Sequence, residues 1–68
     1  MINKYRKLRG LTQEQLAEII EISTRQLQRL EKEKDFPSFK TLQKLVITLN
    51  INDKDLATYI RTQKKEDK

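Results

Sequence analysis

Apolar residues recur along this chain at helical spacing, and small polar residues punctuate the recurrence. The clearest stripe is Phe39, Leu42, Leu45, Val46 and Leu49, which the periodicity puts on one core-facing side of a helix. Leu56, Tyr59 and Ile60 form a shorter stripe downstream. Upstream, Leu16, Ile20, Ile22, Leu27 and Leu30 fill the slots that two short facing helices need. Ala17 is the small residue that lets such helices approach near their crossing. Strand-like alternation never extends beyond a few residues, and the dominant Leu, Gln, Glu and Lys are good helix formers.

The punctuation predicts five helices. The first runs from about Ile2 to Arg9 and closes at Gly10, which takes the left-handed conformation at low cost. The second opens at Thr12, which with Gln15 makes a capping box, and continues to about Ile20. Glu21 and Ile22 form a tight turn. Ser23 with Gln26 makes a second capping box and opens a third helix ending near Lys32. Glu33 to Pro37 is a charged loop, and Ser38 caps the fourth helix. Asn50 to Asn52 break that helix, and Asp53 is expected to cap a fifth, through about Arg61. The fold class is therefore all-α, a five-helix bundle containing a helix-turn-helix within residues 1–62. Residues 63–68 form a wholly polar tail, expected to fray.

Composition narrows the function. With 68 residues the chain is one domain, and at this size only roughly 60% of the unfolded surface is buried on folding. There is no room for a catalytic cleft with its own walls. The chain has no cysteine and no histidine, so disulfides, thiolate metal sites and the commonest general base are excluded together. Glu14 and Glu18 lie one helical turn apart, but on the wet face of an amphipathic helix with no third ligand near in sequence. No catalytic residue, metal or cofactor is expected, and a small enzyme is remote. The longest apolar run, Leu45-Val46-Ile47, is far too short to span a membrane, and a cytoplasmic location is expected.

The formal charge of +5 suits a polyanionic partner, but acidic residues are interleaved throughout, so position must decide. On the third helix Leu27 and Leu30 point inward. Thr24, Arg25, Gln28, Arg29 and Lys32 then share an outward arc of about 140° with no acidic residue. The guanidinium fork of Arg matches guanine O6 and N7, and the amide of Gln matches adenine N6 and N7. Charged outer faces are common on small bundles. The coincidence of this face with the filled apolar slots, Ala17 and two capping boxes favours a major-groove reader of double-stranded DNA over a merely solvated surface.

The run Arg9-Gly10-Leu11-Thr12-Gln13-Glu14-Gln15-Leu16-Ala17-Glu18 resembles the Xre family, the phage repressor and Cro type of helix-turn-helix. So do Ile22-Ser23, Arg29-Leu30-Glu31, and Pro37-Ser38 with Thr41-Leu42; the likeness covers about Ile2 to Leu56. It implies a five-helix, lambda-repressor-like domain of a transcriptional regulator. Such a regulator binds operators, usually as a homodimer; the leading expectation for this chain is a sequence-specific repressor of phage, plasmid or other bacterial origin. It implies base contacts from Thr24, Arg25, Gln28 and Arg29. Phosphate contacts fall on Gln13, Lys34, Ser38 and Lys40, with Lys32 added at the end of the outward face. It also implies a salt bridge from Arg6 to Glu31.

Two positions depart from the family pattern, which has glycine where this chain has Glu21 and Glu33. A left-handed glutamate costs about 1 kcal/mol or more, and Glu33 is expected to repel a nearby phosphate. Tyr59, Ile60 and Ile47 are either core residues or a surface for dimerisation. The chain is either a minimal regulator that dimerises through its last helices or the N-terminal domain of something longer. An antitoxin or adaptor, using the same fold chiefly to hold a protein partner, is the alternative from the interaction class.

Overall fold

In the computed structural model, which describes residues 1–63, most helix ends are set by a local hydrogen bond. Helix α1 spans Ile2–Leu8, α2 Gln13–Ile20, α3 Thr24–Glu31, α4 Phe39–Leu49 and α5 Asp53–Gln63. Both capping boxes form. Thr12 Oγ1 accepts from the Gln15 N–H at 3.0 Å while Gln15 Oε1 accepts from the Thr12 N–H at 2.9 Å. Ser23 and Gln26 make the same reciprocal pair, both bonds 3.0 Å. Each box satisfies two donors at a helix start that would otherwise lack partners. Ser38 caps α4 by accepting from the Thr41 N–H at 3.2 Å.

The first four helices close alike. A left-handed residue follows each one, Gly10 at φ 71°, Glu21 at 64°, Glu33 at 60° and Asn50 at 53°. The next residue's N–H then reaches back six positions inclusive: Leu11 to Arg6 O, Ile22 to Ala17 O, Lys34 to Arg29 O and Ile51 to Val46 O. These bonds satisfy terminal carbonyls that the helix cannot satisfy itself.

Two sequence expectations need correction. Asp53 does not cap α5: Asn52 Oδ1 accepts from the Asp55 N–H at 2.8 Å, so the cap is one residue earlier. Asp53 and Asp55 instead lie in the first turn, where carboxylates favour the positive end of the helix dipole. Phe39 does not face the core and is 76% exposed. The buried direction of α4 is set by Leu45 and Leu49, and Phe39 is rotated about 100° from it, on the helix's first residue. Gln63, expected in the polar tail, is the last described residue of α5; the rest of that expected tail, residues 64–68, lies outside the described residues.

The core is where facing helices meet. Leu16, Ala17 and Ile20 from α2 pack with Leu27 and Leu30 from α3, Leu45 and Leu49 from α4, and Ile2 and Tyr5 from α1. Ile22 is half-buried against them. Tyr59 joins the core from α5, whereas Ile60 and Ile47 stay at the surface, Ile47 at 78% exposure. Polar side chains of α1 and its C-cap fasten α4 and α5 to the first helix. Arg9 Nε donates to Leu49 O at 2.9 Å, and the Tyr5 hydroxyl donates to Asp55 at 2.5 Å. No helix among the described residues is long and apolar enough to cross a membrane.

Candidate nucleic-acid interface

Helix α3 is mounted with its apolar side locked and its polar side outward. Leu27 and Leu30 are buried, while Arg25, Gln28, Arg29 and Lys32 are exposed and Thr24 is half-buried. Together with Lys34 these outward residues line a shallow depression of about 520 Å³. Five of the expected contact residues on or beside α3 therefore share one concavity with Lys34, and no carboxylate lines it. Ser38 and Lys40 are exposed at the start of α4 and do not line it. The Ser38 hydroxyl is engaged in its cap and also donates to Thr41 Oγ1 at 3.1 Å.

The left-handed turn before α3 is stapled from outside. Lys44 Nζ, on α4, donates to Glu21 Oε1 at 2.7 Å, and this hydrogen bond holds the Glu21 carboxyl below its ordinary range. A strained glutamate thus gains an ion pair that glycine could not make, which offsets part of its backbone cost. Glu33, the other departure, lines a different cavity, of about 400 Å³, with Met1, Lys4, Tyr5, Asp55 and Tyr59. It faces α1 and α5 rather than the basic depression. Beside it, the buried Tyr59 hydroxyl has no hydrogen-bond partner among the described residues. Burial, with a smaller push from the Glu33 charge, raises that hydroxyl's pKa to about 12.

A hydrogen-bonded chain runs from α1 to the outward face. Arg6 Nε donates to Glu31 Oε2 at 2.6 Å, and both side chains are nearly buried. Arg6 Nη1 donates to Leu11 O at 2.9 Å. Gln13 Nε2 donates to the other Glu31 oxygen at 2.9 Å, and Gln28 Nε2 donates to Gln13 Oε1 at 3.3 Å. One exposed amide of the outward face is therefore oriented through three side chains from the first helix. Gln13, expected only at a phosphate, is also the middle link of this chain.

Sequence reasoning overlooked one partner altogether. Arg29 Nε donates to Asp35 Oδ2 at 2.7 Å, and Arg29 Nη2 to Asp35 Oδ1 at 3.2 Å. The hydrogen bond from Arg29 holds the Asp35 carboxyl below its ordinary range. A cation followed six residues later by a carboxylate carries no helical-spacing signal, because the pairing depends on the path of the loop. Arg25, one turn away, makes no ion pair among the described residues.

Among protein families, the model for the helix-turn-helix matches residues 2–56, from α1 into α5. No curated protein and no solved structure matches the chain.

Proposed function

The chain belongs to the Xre-like helix-turn-helix family of DNA-binding transcription regulators, and we propose that it is a sequence-specific repressor that docks α3 into the major groove of its operator. The observation that carries this reading is the outward side of α3. It is cationic and amide-bearing, lacks carboxylates along the depression, and stands on a helix whose opposite side is locked in the core. Thr24, Arg25, Gln28 and Arg29 read base edges. Gln13, Lys32, Lys34, Ser38 and Lys40 position the domain on phosphates, helped by the free N–H groups at the starts of α2 and α4. The Arg6–Glu31–Gln13–Gln28 chain supports the assignment of Gln28, since a pre-oriented amide loses less entropy when it pairs with adenine.

A single domain reads few base pairs. The proposed operator is therefore two half-sites about 10 bp apart centre to centre, occupied by a two-fold pair of chains. Occupancy of a promoter by such a pair excludes polymerase without further contacts, which is why repression is the direction proposed. The experiment is selection from randomised duplexes, followed by titration of the selected and random sequences at several salt concentrations. Expected are a shared motif with repeated half-sites and an affinity falling steeply with salt on every duplex, as counterions are released. An affinity independent of salt would remove the reading.

A further inference from the structure

We propose that Asp35 is a positioning and specificity-determining residue, holding the Arg29 guanidinium so that its free end presents a two-pronged donor to one guanine. The inference rests on the DNA-binding reading above and adds to it a residue outside the reading helix. A guanidinium carries five N–H donors in a rigid plane. Asp35 takes two of them, one on Nε and one on Nη2, through bonds of 2.7 and 3.2 Å. That is the side edge of the fork. The end edge, with the remaining hydrogens of Nη1 and Nη2, makes no hydrogen bond among the described residues. Because the group is planar and rigid, fixing one edge fixes the other. Guanine N7 and O6 ask for two nearly parallel donors, which the end edge supplies.

The carboxylate is itself held in place. Its neighbour on one side, Lys34, donates its backbone N–H to Arg29 O at 2.9 Å. On the other side the Phe36 ring stacks on buried Tyr59, with centroids 5.4 Å apart. The short loop is thus fastened at both flanks of Asp35, so the side chain reaches Arg29 from a fixed base. The pair also removes one positive charge from the far field. Arg29 then adds little to attraction for phosphates in general and retains its directional contact with one base. Discrimination grows by both routes.

The test compares the parent with Asp35→Asn, Asp35→Ala and Asp35→Glu. Each is titrated against the selected operator, its single-base variants at every position, and a random duplex. Both members of the pair are about half exposed, so the melting temperatures of the Asn and Ala variants should stay close to the parent's. Preference for guanine at one base pair should fall about tenfold in both, with preferences elsewhere unchanged. Random-duplex affinity should rise, with a salt slope steeper by about one counterion, since a net positive charge is gained. Asp35→Glu should recover part of the lost preference. In an Arg29→Ala background, Asp35→Asn should cost no further preference.

A uniform gain on all sequences, with the guanine preference intact, would overturn the proposal and reduce Asp35 to a screening charge. Unchanged binding in every variant would also overturn it. So would an Arg29→Ala protein that keeps the full operator preference, and in these three cases the DNA-binding reading survives. A parent that binds no duplex in a salt-dependent way removes that reading instead, and Asp35's role with it.

Discussion

Two arginine–carboxylate pairs in this molecule have almost the same geometry and opposite surroundings. Arg6 meets Glu31 through Nε at 2.6 Å and Nη2 at 3.4 Å. Arg29 meets Asp35 through Nε at 2.7 Å and Nη2 at 3.2 Å. The first pair's side chains are 10% and 4% exposed; the second pair's are 49% and 47% exposed. Pair distance therefore does not assign a role. What matters is where the rest of the fork goes. Arg6 spends its remaining end on Leu11 O, inside the protein, whereas that end of Arg29 makes no hydrogen bond among the described residues. The first pair joins α1 to α3, and the second, on the proposed reading, prepares α3 for a base.

The comparison breaks most visibly when one charge of the buried pair is removed. Arg6→Ala strands Glu31 without its cation and should cost about 3–5 kcal/mol of stability, read by chemical denaturation. Replacing both members by apolar residues of similar size should recover most of that loss, because no unpaired charge remains. The equivalent cut in the exposed pair should leave folding nearly untouched. Arg29→Ala should instead cost about 1–3 kcal/mol in binding the selected operator, with random duplex affected far less. Equal losses of stability from Arg6→Ala and Arg29→Ala would erase the distinction.

Smaller effects sharpen it. Glu33→Gly should stabilise the fold by about 1 kcal/mol, since it relieves a left-handed glutamate that has no ion pair among the described residues. Glu21→Gly should gain less, because it also gives up the bond to Lys44. The smallest expected effect is on acidification. Asp35 and Glu21 titrate lower in the folded protein than in the unfolded chain, held there by Arg29 and Lys44. Their contribution is present above the ordinary carboxylate range and is lost as pH falls through the depressed folded values. Melting temperature should drop over that window, and slightly less steeply in Asp35→Asn.

What was legible in the sequence was local. The capping boxes bind partners three residues apart, so Thr12–Gln15 and Ser23–Gln26 could be read before any fold was known. Leu16, Leu27 and Leu30 followed from spacing, and all three are buried. Arg6–Glu31 came from family likeness alone; no periodicity connects residues 25 apart. The link from Gln28 to Gln13 and the grip of Asp35 on Arg29 leave no mark in the sequence, for a shared reason. Both depend on how a turn bends, at Glu21 in one case and Glu33 in the other. Helical spacing places Phe39 on the stripe but does not say which edge of the stripe is covered, and Phe39 lies on the exposed edge.

Helix α1 has seven residues, too few to persist alone in water, yet two of its side chains and that of its C-cap, Arg9, hold distant parts of the fold. Arg6 takes Glu31 of α3, Arg9 the last carbonyl of α4, and Tyr5 the first turn of α5. Tyr5 and Asp55 are 50 positions apart. At a synthesis rate of roughly 5–20 residues per second, about 3–10 s separate their appearance on the ribosome. Helix α1 is thus fully secured only once α5 has been made. Until α5 emerges, this segment is held through Arg6 and Arg9 without the Tyr5 link.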